Sequence, residues 1–278
     1  MDNFSVFTPY NAGDLITFLP GLQQIWMQTG RRAVIYQQLD YPAFYYQGAE
    51  HPTKNAEGQQ FCVNQKVFDA LYPLLVAQPY IAEYVVWKGE KCDYDMTETR
   101  DRRRIPLPYG NIHHWASFVF PEMTCDLGQK WISLMGENLG PVNLSIKRRK
   151  VHKTLVINRT SRYQNPYLHF YFLQKYDYGQ LAFIGLEDEY NEFCQKWELK
   201  NVAWLKTDNF LEVAVYLYYA KGFLGNQSVC WHIADAMKIP RVLEYSPHYP
   251  NTHPTGAGGC AAMYQEPLEY FVDKMLNS

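Results

Sequence analysis

The sequence predicts an α/β protein with two Rossmann-like halves, each built around a mainly parallel sheet. Short, nearly unbroken apolar runs recur through the C-terminal half, a pattern typical of strands that are covered on both faces. Stretches with helical periodicity separate these runs, and the N-terminal half opens with the same strand–helix–strand order. With 278 residues the chain is long enough for two ordinary domains, which we place at 1–150 and 151–278.

The N-terminal half begins with clear elements and then loses its pattern. Phe4–Phe7 is predicted as a strand, Asp14–Gln28 as a helix and Ala33–Tyr36 as a second strand. Val67–Ala77 has helical periodicity and ends before a proline. Several prolines interrupt the chain beyond this helix, so the sequence predicts no particular elements over 80–150.

The C-terminal half contains five predicted strands with helices between them. The strands are Thr154–Ile157, Leu181–Ile184, Val202–Leu205, Gly222–Leu224 and Arg241–Leu243. One helix is expected to begin at Glu187, because acidic residues suit the positive end of the helix dipole. Thr207-Asp208 is expected to cap a second helix. A third helix follows Gly225 and ends before Pro240.

Composition and charge narrow the class of protein. Hydrophobic residues make up 47% and charged residues 19% of the chain, and the formal net charge is −2, so we expect no nucleic-acid partner. No apolar run reaches membrane-spanning length, and the six cysteines form no C-x-x-C pair. These features predict a cytoplasmic protein without a transmembrane segment; peripheral association with the inner membrane face stays open.

Two basic clusters interrupt this balanced charge. Arg102–Arg104 is one, and Lys147–Lys150 with His152 and Lys153 is the other. We favour a solvated loop for the first and a linker between the two halves for the second. The alternative is a local positive field that attracts an anionic substrate.

A polar turn at 225–228 is the strongest indication of a ligand site. It joins a short apolar strand to a helix, so free N–H groups at the helix start can bind phosphate. Residues 222–244 are therefore predicted to form a strand–helix–strand unit with an anion site at its carboxyl edge. This pattern points to a nucleotide.

Two motifs resemble those of family 9 glycosyltransferases, the heptosyltransferase-like enzymes. Gly13-Asp14, five mostly apolar residues and Pro20 resemble the family's N-terminal motif. Gly225-Asn226-Gln227-Ser228 with His232 resembles its C-terminal motif, although the family usually has Asp where this chain has Gln227. The resemblance implies a GT-B fold, in which two Rossmann-like domains face a central cleft. It also implies a nucleotide-sugar donor on the C-terminal domain and a glycan or lipid-linked glycan acceptor on the N-terminal one.

The resemblance assigns roles on the acceptor side. Asp14 matches the catalytic aspartate, the general base that takes the acceptor hydroxyl proton in an inverting transfer. A helix N-cap is the alternative role for Asp14. Asn11 and Gly13 are expected beside it, near the acceptor.

The resemblance also assigns roles on the donor side. The donor-phosphate residues it implies are Thr160, Ser161, Arg162, Asn226, Gln227 and Ser228. We prefer Arg162 to Arg159, and a plain helix cap is the alternative for Ser228. Glu187, His232 and Glu244 are expected near the donor ribose or sugar. The alternatives are a first-turn acid for Glu187 and a core histidine for His232. The glycine-rich loop Ser246–Cys260 is expected to close over the donor, or else to be a flexible connection.

Other functions remain open. Asp93-Tyr94-Asp95 resembles the metal-binding D-x-D of GT-A enzymes, but we favour a solvated turn. We therefore expect no metal and no cofactor, with the nucleotide sugar as substrate. A non-catalytic nucleotide- or sugar-binding module is the main alternative. A Rossmann oxidoreductase is a weaker one, because the first strand–helix turn lacks G-x-G-x-x-G.

Overall fold

The computed structural model describes residues 2–43, 53–101, 103–105, 110–134 and 151–277. The strands are β1 (Phe4–Thr8), β2 (Ala33–Gln37), β3 (Ile81–Val86), β4 (Tyr94–Asp95), β5 (Leu155–Asn158), β6 (Leu181–Phe183), β7 (Val202–Trp204), β8 (Gly222–Gly225), β9 (Arg241–Glu244) and β10 (Gly259–Ala262). The α-helices are α1 (Ala12–Thr29), α2 (Gln65–Val76), α3 (Trp115–Val119), α4 (Glu187–Lys196), α5 (Phe210–Tyr219), α6 (Val229–Met237) and α7 (Gln265–Asn277). Short 3₁₀ helices lie at Met96–Arg100, Ile112–His114, Pro121–Met123 and Tyr171–Lys175.

The N-terminal sheet is parallel, with its four strands in the order β3-β2-β1-β4. Strands β1 and β2 fully bury only every second residue, because one face of the sheet is covered better than the other. The predicted strands and helices before residue 80 are confirmed. Strands β3 and β4 lie in 80–150, where the sequence pattern predicted no element.

The C-terminal sheet is also parallel, with its six strands in the order β10-β9-β8-β5-β6-β7. Every residue of β5, β6, β8 and β9 is buried, which explains their unbroken apolar runs. The predicted α/β class with two mainly parallel sheets is confirmed. The edge strand β10 and the final helix α7 were not predicted.

Two predicted helix starts need correction. The N-cap of α1 is Asn11, and Asp14 lies in the first turn instead of capping the helix. The N-cap of α5 is Asn209, whose side chain accepts a hydrogen bond from the N–H of Glu212 at 3.0 Å, so Thr207-Asp208 is not the cap. At α5 an asparagine carboxamide serves this role as well as aspartate does, which is why the sequence alone misplaced that boundary. The Asn11 side chain makes no capping hydrogen bond.

The two halves share one buried core. Helix α1 packs against α6, and α2 packs against α5, so residues from both halves belong to one apolar cluster. Trp131, which is 1% exposed, joins them. Its backbone N–H donates to the carbonyl of Ala236 at 3.1 Å, and its backbone carbonyl accepts from the Tyr80 hydroxyl at 2.5 Å. The Lys238 ammonium lies 4.0 Å from the centre of the Trp131 ring.

The predicted boundary at residue 150 adjoins a stretch outside the described residues. That stretch, 135–150, contains Lys147–Lys150, and Arg102 of the first basic cluster also lies outside. The boundary therefore stays a prediction. No helix in the described part of the chain is both long enough and apolar enough to span a membrane.

Replacing Trp131 with alanine should destabilise the whole molecule. We expect Trp131→Ala to lower the free energy of unfolding by about 3–5 kcal/mol, because it opens a cavity in packing shared by both halves. Urea unfolding followed by circular dichroism measures this change. Tyr178→Ala is the matched control, because Tyr178 is 79% exposed. A loss no larger than the control's would contradict the role given to Trp131.

Candidate functional site

The starts of α1 and α6 meet at the contact between the two halves. Each helix follows the carboxyl end of a parallel strand, β1 in one sheet and β8 in the other. A β-carbon at Gly13 would lie 3.2 Å from Cδ2 of His232 and 3.8 Å from the backbone nitrogen of Val229. The two turns singled out in the sequence are therefore brought together, one from each half.

Asp14 lies in the first turn of α1, beside a small pocket. Its side chain is 19% exposed, and its Oδ1 accepts a hydrogen bond from Nη2 of Arg100 at 2.5 Å. Asn11 donates to its Oδ2 at 3.4 Å, while the Asn11 Oδ1 is buried and has no hydrogen-bond partner among the described residues. The pocket is also lined by Thr17 and Trp115.

Arg100 is held by aromatic rings on two sides. Its guanidinium carbon lies 4.8 Å from the ring centre of Tyr10 and 4.7 Å from that of Trp115. Cation–π contacts of this kind restrict a long side chain. Arg100 therefore fixes the orientation of the Asp14 carboxylate.

Asn226 holds the loop at 160–162 from within; we call it the phosphate loop because it is predicted to contact the donor phosphate. It is fully buried, and its Oδ1 accepts from the N–H of Thr160 at 3.0 Å. Its Nδ2 donates to the carbonyl oxygens of Thr160, at 2.9 Å, and Arg162, at 2.5 Å. Because this carboxamide is already occupied, only the backbone N–H of Asn226 is left for the predicted contact with donor phosphate, which stays a prediction.

Ser228 is the N-cap of α6, as the alternative interpretation stated. Its hydroxyl accepts from the backbone N–H of Trp231 at 3.2 Å and donates to Oδ1 of Asn158 at 2.7 Å. Asn158 in turn donates to the carbonyl of Ile184 at 2.7 Å. Since this hydroxyl is engaged, the groups that α6 offers to an anion are its first-turn backbone N–H groups other than that of Trp231. Gln227, just before the cap, is half-buried.

Arg159 and Glu244 form a buried ion pair. Nε of Arg159 lies 2.7 Å from Oε2 of Glu244, and Nη2 lies 2.9 Å from Oε1. Glu244 is 1% exposed and also accepts from the N–H of Asn165 at 2.7 Å. These hydrogen bonds engage both carboxylate oxygens of Glu244 within the protein, and its expected position near the donor ribose or sugar stays a prediction. The preference for Arg162 over Arg159 agrees with this burial.

The outer part of the phosphate loop is more open. Thr160 and Arg162 are half-buried and Ser161 is exposed. The Arg162 guanidinium lies 5.7 Å from the ring centre of Tyr163 and is close enough to Cys62, in the other half, to lower the pKa of its thiol slightly against the effect of burial. Arg162 thus lies near both halves.

Three acidic residues, Glu187, Asp188 and Glu189, lie in the first turn of α4. Glu187 is exposed, which fits a first-turn acid, and its proposed ribose contact stays a prediction. Glu189, which the sequence analysis passed over, accepts from the N–H of Leu186 at 3.1 Å. Burial raises the pKa of Glu189 to about 7, although this hydrogen bond and Arg162 lower it. Glu189 lies three residues after the N-cap Leu186, and a glutamate at this spacing is the sequence signal that could have identified its role at the helix start.

His232 is buried against the start of α1. It is 3% exposed, and burial lowers its pKa to about 4. His113, from the N-terminal half, lies with its ring centre 5.4 Å away. Burial and the neighbouring His232 lower the pKa of His113 to about 3.

The loop Ser246–Cys260 is anchored at several points. The carbonyl of Asn251 accepts from the N–H of Ile112 at 2.8 Å, and the N–H of Thr255 donates to Asp235 at 2.9 Å. Arg241 donates to the Ala257 carbonyl at 3.0 Å. The interpretation as a flexible connection is therefore wrong, while closure over a donor stays a prediction.

The D-x-D triplet serves local structure. Asp93 accepts from the backbone and hydroxyl of Ser5 at 2.8 Å and 3.0 Å, and Asp95 accepts from the N–H of Thr97 at 2.9 Å. Within the described ranges, no three His, Cys, Asp or Glu side chains are grouped as metal ligands. Arg103, which is 90% exposed, pairs with its neighbour Asp101, in line with a solvated loop.

Replacing Asn226 should loosen the phosphate loop. We expect Asn226→Ala to lower the free energy of unfolding by about 1–3 kcal/mol, since it leaves buried polar groups of the loop without partners. Urea unfolding measures the loss, and Gln227→Ala is the adjacent half-buried control. Equal stability of the two variants would show that the carboxamide does not hold the loop.

Acid should destabilise the contact between the halves. His113 and His232 have pKa values of about 3 and 4 in the folded protein, below the ordinary 6.5. Between the lowered pKa and 6.5, the unfolded chain therefore binds more protons than the folded protein does. The contribution of the two neutral histidines to the free energy of unfolding is therefore complete above pH 6.5. It is lost as the pH falls toward 4, by up to about 1.4 kcal/mol per pH unit for each histidine. Urea unfolding at several pH values should show a shallower decline for His232→Gln than for His114→Gln, which changes an exposed histidine. Identical slopes would contradict this.

The comparisons with known proteins give matches among solved structures alone. No family model matches the sequence, and no curated protein matches it. The E. coli ADP-heptose LPS heptosyltransferase II is similar with a TM-score of 0.61 and 11% identity, over 99% of this chain and 98% of that chain. A family 9 glycosyl transferase from Veillonella parvula gives 0.59 and 14%, over 98% and 92%.

A third structure agrees with these two. The E. coli heptosyltransferase WaaC with ADP-2-deoxy-2-fluoro heptose gives a TM-score of 0.57 and 11% identity, over 100% of both chains. The resemblance to family 9 glycosyltransferases is therefore confirmed at the level of the fold. The described part of the chain has the GT-B fold of these heptosyltransferases.

Proposed function

We propose that this protein is a family 9-type glycosyltransferase that moves a sugar from a nucleotide-sugar donor to a hydroxyl of a glycan or lipid-linked glycan. The observation that carries the proposal is the meeting of two helix starts at Gly13. One start brings the Asp14 carboxylate, and the other brings the N–H groups of α6. A base and an anion site beside each other are what sugar transfer requires.

The donor diphosphate is proposed to bind at the start of α6. Its first-turn N–H groups and the positive end of its dipole favour an anion. Arg162 adds a guanidinium from the neighbouring loop, and a planar fork of donors suits phosphate oxygens. Thr160, Ser161 and Gln227 complete the half-open rim of this region.

Asp14 is proposed as the general base of an inverting transfer. The acceptor oxygen attacks the anomeric carbon, and its proton passes to the Asp14 carboxylate. The bond from the anomeric carbon to the diphosphate oxygen breaks with its electron pair, and the departing charge is stabilised at α6. Arg100 keeps the carboxylate oriented, which is a positioning role. Attack from the face opposite the leaving group inverts the sugar configuration.

The stabilisation of the leaving group in this scheme uses groups of the protein. Backbone N–H groups and a guanidinium supply the positive potential that a divalent cation supplies in metal-dependent transferases. We therefore propose that transfer proceeds without a divalent metal. An assay in the presence of EDTA tests this, and restoration of lost activity by Mg²⁺ would contradict it.

The sugar and the nucleobase of the donor are proposed less narrowly than the reaction. Two of the similar structures are named for ADP-heptose or hold an ADP-heptose analogue, so ADP-heptose is the first donor to test. Gln227, where family 9 usually has Asp, is neutral and both donates and accepts hydrogen bonds. We therefore include other nucleotide sugars in the test.

A non-catalytic binding module is the second candidate. The observation that favours it is the internal engagement of the Asn226 and Ser228 side chains, which leaves fewer side-chain contacts for a reacting donor. This candidate predicts nucleotide binding without release of a nucleoside diphosphate.

Asp14→Asn should separate the two candidates. With a nucleotide sugar that raises the melting temperature of the wild type, we expect the variant to keep this shift but release nucleoside diphosphate about 10²–10⁴-fold more slowly. Asp69→Asn, on the exposed face of α2, is the matched control. Unchanged turnover in Asp14→Asn would rule out Asp14 as the general base. Binding without any turnover in the wild type would favour the non-catalytic binding module.

A further inference from the structure

The loops that follow β5 and β9 meet at the carboxyl end of the sheet, on either side of β8. Strand β8 lies between β5 and β9 and leads through the turn 225–228 into α6. The rings of Tyr163, after β5, and Tyr249, after β9, lie with their centres 5.2 Å apart and meet edge to face at 73°. Both side chains are half-buried. An aromatic pair therefore joins the two loops that flank the start of α6, where the donor diphosphate is proposed to bind.

Tyr163 is held next to the phosphate loop in an unusual backbone conformation. Its φ is 55°, in the left-handed region that glycine adopts readily and an aromatic residue seldom adopts. Asn226 fixes the preceding residue, because its Nδ2 donates to the Arg162 carbonyl at 2.5 Å. The Arg162 guanidinium lies 5.7 Å from the centre of the Tyr163 ring. Non-glycine residues in this conformation cluster at ligand sites, so the Tyr163 ring is a candidate for a ligand contact.

The loop that carries Tyr249 runs from the sheet edge to the pocket beside Asp14. The carbonyl of Ser246, two residues after β9, accepts from the N–H of Tyr249 at 3.3 Å. The carbonyl of Asn251 accepts from the N–H of Ile112 at 2.8 Å, and Ile112 lines the pocket together with Asp14. Tyr249 thus lies between a point beside β8 and a point on the wall of the Asp14 pocket, and both points are anchored.

The transferred sugar has to lie between the same two places. In the proposed reaction its anomeric carbon is bonded to the diphosphate oxygen at α6 and is attacked by the hydroxyl that Asp14 deprotonates. A sugar ring has C–H faces and a rim of hydroxyls, and a tyrosine offers an apolar face together with a hydroxyl. A phenol is neutral near pH 7, so the pair suits the uncharged sugar better than the diphosphate.

We propose that Tyr163 and Tyr249 form an aromatic subsite for the sugar of the nucleotide-sugar donor. Their rings pack against the sugar, whereas Arg162 and the N–H groups of α6 hold the diphosphate. The two tyrosines determine which sugar is accepted and take no part in bond making. The inference rests on the proposed function, because it requires a donor that carries a sugar on its diphosphate.

The test compares binding of a nucleoside diphosphate with binding of the matching nucleotide sugar. Isothermal titration calorimetry of the full chain uses two pairs of probes, ADP with ADP-heptose and UDP with UDP-glucose. Tyr249→Ala removes one ring, and Tyr163→Gly removes the other with a residue that suits a φ of 55°. For the pair that binds the wild type, we expect each variant to raise the Kd of the nucleotide sugar about tenfold. The Kd of the nucleoside diphosphate should stay within about twofold.

Two further variants serve as controls. Tyr249→Phe keeps the ring and should keep most of the affinity for the nucleotide sugar. His248→Ala changes an exposed neighbour in the same loop and should change neither Kd. Circular dichroism checks that each variant is folded, and Tyr163→Gly carries the test if Tyr249→Ala does not fold.

The outcomes separate this inference from the proposed function. Equal losses for nucleoside diphosphate and nucleotide sugar would overturn the subsite, because they indicate a nucleobase contact or a structural role for the pair. Unchanged binding of both ligands in folded variants would also overturn it and would leave the proposed function intact. A wild type that binds none of the four probes would contradict the proposed function itself, and the subsite with it.

Discussion

The close approach of α1 and α6 is the constraint on which the candidate site depends. A β-carbon at Gly13 would lie 3.2 Å from Cδ2 of His232, a tight contact that His232 would have to shift to relieve, so glycine allows this close approach. The approach also closes one core over both halves, which makes the geometry a property of the whole chain. Because apolar packing holds the two helices, the carboxylate of Asp14 and the N-terminus of α6 share one region.

The most buried polar groups of the site serve its shape. Asn226 holds the loop at 160–162, Ser228 caps α6, and Arg159 pairs with Glu244. A buried polar group costs free energy unless it is hydrogen-bonded, so these side chains turn inward and satisfy one another. Ligand contacts are left to backbone N–H groups and to the half-buried rim. This division suits an anion site, since preorganised N–H groups need a rigid turn.

A second polar cluster links the loop Ser246–Cys260 to α6. Asp235 is fully buried but accepts from Arg241 and Thr255, so its charge is compensated. Arg241 also holds the loop carbonyl of Ala257. His113 borders the same carboxylate, which connects the N-terminal half to this cluster. The region beneath the candidate site is therefore closely hydrogen-bonded, and His232 has neighbours from three parts of the chain.

The sequence by itself determined the fold class, the C-terminal strands and the two motifs around Asp14 and 225–228. Strand and helix periods are local, so buried apolar runs reveal them without knowledge of the partners. Only the tertiary structure decided which side chains are free to act. Arg100 and His113 lie in a stretch without periodic pattern, and contacts between residues distant in sequence leave no local trace. The same holds for Glu244, whose ion pair with Arg159 forms only once β5 and β9 enter the same sheet.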